Sequence, residues 1–352
     1  MAVEKPEPRP PVGVAFDGDL ATRPDALLAL ALLNGLTAKQ EARRISLSVS
    51  RPSLTAARLA DVIAEFYPTL PLGAGYLTVG MLEGSVPRDD APALAQMLAA
   101  KTPEGAAVYD SRVERMIDTA DNATLIRNML IAQHDGNAIV VLAGAATGLA
   151  RLLALYGSRP QIVAKVKVLV VAVGSYPAGG APSSKADPSV LADVAAARQL
   201  FAEWPTPIVA VGSEAGEAVR FPFSRLEASL AGPIAAACRA IAGAAQDTPT
   251  AALAAMMYAI HPEAAELKLS EAGTISVLDD GRTRFVPGAG GRHRYLSVPP
   301  AQKAALLASY TSLVSAPPAP RPTKRLPNMV VDPPAAPPAA TPPSAAPPGA
   351  KP

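Results

Sequence analysis

The stretch Val14-Ala15-Phe16-Asp17-Gly18-Asp19-Leu20-Ala21-Thr22-Arg23-Pro24-Asp25-Ala26-Leu27 decides the reading of the fold. Val12–Phe16 is a short apolar run, the pattern of a strand buried on both faces, and it ends at two acids, Asp17 and Asp19. From Pro24 to Leu33 the chain becomes Ala/Leu-rich with helical patterning, and proline is well tolerated in the first turn of a helix. A buried strand that feeds a helix through a short acidic loop is the opening of a β-α-β arrangement.

The alternation continues outward. Ile45–Ser50, Ala138–Leu142, Val166–Val173 and Pro207–Val211 read as strands. Ser53–Tyr67, Leu125–Gln133, Thr147–Tyr156 and Ala192–Glu203 read as the helices between them. Thr248–Ile260 is an Ala/Met-rich helix, and residues 300–315 form a closing helix. Thr274–Leu278 and Arg284–Val286 flank Asp279-Asp280-Gly281, a hairpin with an Asp-Gly turn. The fold class is therefore α/β, with an open, mostly parallel sheet flanked by helices. Ligands of such sheets bind beyond the carboxyl ends of the strands. That singles out Asp17/Asp19, Ala143/Gly144 and Gly174/Ser175.

Three segments follow: a Pro-rich lead-in over 1–11, one domain over 12–315, and a Pro/Ala-rich tail over 316–352. The tail holds fourteen of the 38 prolines and cannot build a core, so it reads as disordered with polyproline character. Lys and Arg number 32 against 30 Asp and Glu. The tail carries Arg321, Lys324, Arg325 and Lys351 against Asp332, so the body is close to neutral and phosphate-backbone binding is disfavoured. Aromatics make up only 4% of the chain, too few for a base-stacking platform. No nucleic-acid partner is expected. Mean hydropathy is +0.21, yet no apolar run is long enough for a membrane span. The start MAVEKPEPRPPVG has no apolar leader region. The expectation is a cytoplasmic protein, or a periplasmic or secreted one if a signal was trimmed.

The strand-end acids carry the chemistry. Several carboxylates at one strand end and the following helix start are the hard oxygen donors a divalent cation such as Ca²⁺ takes. Such an ion lowers the pKa of a bound water, and an aspartate beside it can take the proton. The plainer alternative is that these acids cap helices and turns.

The segment resembles the N-terminal motif of the inosine–uridine preferring nucleoside hydrolases, in which an apolar strand runs into Asp-x-Asp and then Asp-Asp-Ala. The likeness spans residues 12–315. Asn137 to Arg151, with Ala143-Gly144 and Thr147-Gly148-Leu149-Ala150, looks like the family's strand and helix start. Val166–Ser175, Asp193 to Phe201, Thr206 to Val209 and Tyr258-Ala-Ile-His261-Pro262 are similar to later segments, and Gly281 to Leu296 to a bacterial branch.

The resemblance implies hydrolysis of the N-glycosidic bond of ribonucleosides with a calcium-bound water, no organic cofactor, a nucleoside or other ribose-containing ligand, and a homo-oligomer. By this match Asp19 is catalytic base and metal ligand. Asp25 and the backbone carbonyl of Ala143 are further metal ligands, and Asp17, Asp187 and Ser189 bind substrate. The match also carries replacements. Pro24 stands for the first residue of the Asp-Asp pair, Gly148 for an Asn, Asp187-Pro188-Ser189 for a Glu-aromatic-Asn clamp, and Ala252 for a late metal-binding Asp. Calcium affinity depends on ligand charge count. The expectation is thus an eroded site with impaired or altered hydrolysis, leaving Asp247 or Asp17 to make up the deficit. The alternative is a non-catalytic ribose-binding or scaffolding protein.

Other signals are weaker. Phe16-Asp17-Gly18-Asp19 also fits a haloacid-dehalogenase-like phosphatase, but Ala21 stands where that family carries Thr or Val, and no later Lys and acidic pair is evident. Gly73-Ala-Gly75 and Gly174-Ser175 fit no phosphate-binding fingerprint. Ser175 and Ser213 lack a triad. Cys238, the one cysteine, and Met256-Met257 read as core, and Arg292-His293-Arg294 as a solvated strand.

Overall fold

A computed structural model of the chain describes residues 10–69, 78–84, 86, 90–177, 179–224, 232–242 and 247–321. Its centre is a run of parallel strands. β1 (Val12–Gly18) lies between β2 (Ala42–Val49) and β5 (Ala138–Ala143), and the sheet continues from β2 through β3 (Gly80–Met81) to β4 (Ala120–Asp121). On the other side β5 is followed by β6 (Val166–Val171), β7 (Ile208–Val211) and the parallel strand His293–Ser297. The hairpin Gly273–Val277/Thr283–Pro287 closes that edge antiparallel, with Gly281 at φ 79° in its turn.

The apolar runs form strands because both faces of the sheet are covered. Val14, Phe16, Val141, Val170 and Val211 enter one core. Ala15, Val140, Leu142, Leu169 and Ala210 enter the other. The first core holds α1 (Pro24–Ala38) at its centre, packed against helices Ala251–Ile260 and Lys303–Val314. Twelve consecutive α1 residues, Asp25 to Leu36, are buried, so the helix shows no polar stripe. The second core holds the helices Asn122–Ile131, Thr147–Ala154 and Val194–Glu203.

Three differences from the sequence reading have a clear physical cause. β2 begins at Ala42 and so includes Arg44, which is buried and donates to the carbonyl of Tyr67 at 3.0 Å. The helix Asn122–Ile131 begins three residues before the expected start, because the Asp121 side chain caps it by accepting from the N–H of Thr124 at 2.8 Å. His293 is buried rather than solvated. Its Nδ1 accepts the N–H of Ile275 at 2.9 Å, and burial pushes its pKa down to about 4. Cys238 is buried and its thiol pKa is pushed up, as a packed small side chain requires. Gly73-Ala-Gly75, the lead-in before residue 10 and the tail beyond residue 321 lie outside the described residues. Residues 316–321 run back to α2 (Leu54–Phe66), where Arg321 pairs with Glu65 at 2.6 Å. Among the described residues no helix is long and apolar enough to cross a membrane.

α1 approaches helix Lys303–Val314 closely at Gly35, where a Cβ would run into the carbonyl oxygen of Leu313. Gly35→Ala is expected to lower stability by about 1–3 kcal/mol, the range for overpacking, despite alanine's better helix propensity. Thermal denaturation checks this; a variant as stable as the parent would refute the close approach.

Candidate functional site

The carboxyl ends of β2, β1, β5 and β6 bring most of the expected residues together. β1 ends at Gly18, so Asp17 lies within the strand, paired in register with Ser48 of β2, and Asp19 opens the loop beyond it. Asp19 is fixed by its own loop. Its Oδ1 accepts the N–H groups of Ala21 and Thr22, each at 3.1 Å, and its Oδ2 accepts the Thr22 hydroxyl at 2.7 Å. A further partner comes from just past the end of β2, where Arg51 forms an ion pair with Oδ2 at 3.0 Å. The N–H of Asp19 in turn donates to the carbonyl of Ala143 at 3.0 Å, joining the ends of β1 and β5.

Asp25 stands in the first turn of α1, where the helix dipole favours a carboxylate. The guanidinium of Arg23 grips it with two bonds, Nε to Oδ1 at 3.1 Å and Nη2 to Oδ2 at 2.7 Å. The N–H of Ala252 donates to the same Oδ2 at 3.0 Å. The remaining amino group of Arg23 donates to the Ala172 carbonyl at 2.8 Å and reaches the Ser189 hydroxyl at 3.4 Å. Burial disfavours the charge on Arg23, but attraction to Asp25, Asp187 and Asp19 outweighs it and raises its pKa. The arginine is a permanent cation.

Asp187 has a structural task. Its Oδ1 accepts the N–H groups of Ser189 at 2.8 Å and Val190 at 3.4 Å at the start of the short helix Pro188–Leu191. Its Oδ2 accepts the N–H of Gly174 at 3.0 Å, just past β6. Asp247 is exposed, and its carbonyl takes a bond from Arg220.

Asp17 faces the second core and is fully buried. Its polar partner is Asn122, whose Nδ2 lies 3.3 Å from Oδ2 and 3.5 Å from Oδ1. Burial raises the carboxyl pKa to about 7, and the Asn122 bond only partly opposes this. Asn122 fits because position 148 is glycine: a Cβ there would fall on its side-chain amide. The amide beside position 148 thus comes from a different helix, Asn122–Ile131. The hydroxyls of Ser46, Ser48 and Ser50, spaced two apart along β2 and its end, and the Asn122 oxygen are buried without a protein hydrogen-bond partner. Each such group costs roughly 1–3 kcal/mol unless a ligand or water engages it.

Sequence reasoning missed Arg23, Arg51 and Asn122. For Arg51 a signal was present. β1 and β2 are parallel neighbours in register, so a residue just after the end of β2 falls beside the acid after the end of β1. Asn122 had no local signal, since its bond to Asp17 spans 105 positions.

A calcium ion takes 6–8 oxygens, several of them charged. Both oxygens of Asp19 and both of Asp25 already receive donors, guanidinium groups among them. Among the described residues no group of three or more His, Cys, Asp or Glu could hold a metal ion. As arranged, these side chains do not fit the ion.

Asp17 generates a prediction. Between pH 4 and pH 7 the folded chain holds a proton that the unfolded chain has released, so this group's contribution to stability falls as pH rises through that window, by on the order of 4 kcal/mol in all. Asp17→Asn is expected to remove this fall and to be the more stable protein at pH 8. Chemical denaturation at pH 4.5 and pH 8 measures it, and an unchanged pH dependence would contradict the assignment.

No protein-family model matches the chain, and no curated protein matches it in sequence. Solved structures do match. A plant nucleoside hydrolase superposes with a TM-score of 0.63 at 19% identity, covering 88% of this chain and 100% of that one. The inosine-uridine preferring nucleoside hydrolase of Bacillus anthracis gives 0.61 at 16% identity over 86% and 99%. The type III effector protein XopQ, solved with adenosine diphosphate ribose, gives 0.59 at 14% over 88% and 94%. The chain has the nucleoside-hydrolase fold.

Proposed function

We propose that this protein binds a ribose-containing small molecule, a nucleoside or a nucleoside derivative, at the carboxyl ends of β1, β2, β5 and β6, and that hydrolysis of the N-glycosidic bond is strongly reduced or lost. The observation that carries this reading is the state of Asp19. A general base needs a free lone pair aimed at the proton it removes. Asp19 spends its oxygens on two backbone N–H groups, the Thr22 hydroxyl and Arg51.

Ribose recognition is chemically supported. Sugar hydroxyls pair with carboxyl, amide and hydroxyl groups, and Asp17, Asn122, Ser48 and Ser50 lie at or near these strand ends, with the two serine hydroxyls and the Asn122 oxygen unpaired within the protein. Asp17 holds a proton near neutral pH and can donate to a sugar oxygen as well as accept. The fold supports the same ligand class, since structures that share it include nucleoside hydrolases and an effector solved with adenosine diphosphate ribose.

The test is a panel of purine and pyrimidine ribonucleosides and free ribose, scored for binding by calorimetry and for sugar release. The expected result is saturable binding of at least one ribonucleoside, loss of that binding in Asn122→Leu, and sugar release at the level of buffer. Rapid release that Asp19→Asn abolishes would establish an active hydrolase instead. Absence of binding across the panel would reject the ribose reading.

A further inference from the structure

We infer that Arg23, assisted by Arg51, is a resident cation that does the work a divalent metal would do at this site: it neutralises the clustered carboxylates and ties the strand ends together. The contacts of Arg23 are those of a ligated ion in kind. Its guanidinium meets both oxygens of Asp25, the main-chain carbonyl of Ala172 and the hydroxyl of Ser189. These are a carboxylate, a carbonyl and a hydroxyl, drawn from the first turn of α1 and from the segment beyond β6. Asp187 and Asp19 add attraction without direct contact. The side chain of Arg23 is only 20% exposed and that of Asp25 9%, so the pair lies largely out of water, where charge neutralisation counts most.

Charge accounting supports the assignment. Asp19 and Asp25 each have one arginine partner, Arg51 and Arg23, so two fixed positive charges stand where a single divalent ion would bring the same total. A guanidinium matches carboxylate geometry with a two-pronged fork that a point charge lacks, and it never dissociates. The exchange has a direction. Water bound to a metal gains acidity, whereas an arginine supplies neither a bound water nor a vacant coordination position. The site keeps its charge balance and its shape while losing the means of making hydroxide at neutral pH. This inference deepens the ribose-binding reading and rests on it only for the identity of the ligand.

The experiment titrates calcium into the full-length protein by calorimetry, with no nucleoside present, so its outcome is independent of whether ribose binds. The parent protein is expected to show no calcium binding up to millimolar concentration. Arg23→Gln combined with Arg51→Gln frees Asp19 and Asp25 and is expected to bind calcium with a dissociation constant on the order of 10⁻⁴–10⁻³ M, the weak end of calcium modules. Adding Asp25→Asn to that pair is expected to abolish the binding. Should the double variant be recovered unfolded, calcium present during refolding is expected to restore its circular dichroism, while sodium at matched ionic strength does not. Tight calcium binding by the parent that depends on Asp25 would overturn the inference. So would a folded double variant that gains no affinity, or an unfolded one that calcium fails to rescue.

Discussion

The organisation of the site depends on one largely buried ion pair. Arg23 and Asp25 lie two residues apart, yet between them they reach four elements: the loop after β1, the first turn of α1, the end of β6 through Ala172, and helix Ala251–Ile260 through the N–H of Ala252. α1 is the helix around which one whole face of the sheet is packed. Its amino end is therefore held by charge, while its flanks are held by apolar burial. Removing one member of a largely buried pair strands the other in a poor solvent, at a cost of up to about 3–5 kcal/mol.

The fold was legible because burial on both faces leaves an unambiguous mark. Ala138–Ala143 and Val166–Val171 are short runs, nearly all apolar, that end at small or turn residues, and each is a central strand. Boundaries were legible only where apolarity set them. β2 starts among arginines because the Tyr67 carbonyl gives the buried Arg44 a partner, an effect no local pattern carries. The helix Asn122–Ile131 starts early because a cap, Asp121, fixes it.

The site divides in the same way. Asp17, Asp19 and Asp25 could be named because acids at a strand end attract notice. The partners that decide what those acids can do were not legible. Arg23 and Arg51 look like spacers in sequence, and their meaning lies in which strand ends adjoin. A count of carboxylates suggests a weakened metal site, whereas in the folded chain Asp19 and Asp25 are already paired with arginines.

Gly148 constrains how this chain can change. With Asn122 in place, the space beside position 148 is filled by the Asn122 amide. A side chain at 148 must displace that amide, and removing Asn122 first leaves the buried Asp17 carboxyl without its polar partner. Each single replacement passes through a worse-packed or worse-solvated protein, so only a paired exchange moves between the two arrangements without loss. The amide that serves Asp17 is thus held in place by epistasis: either residue changes without penalty only once the other already has.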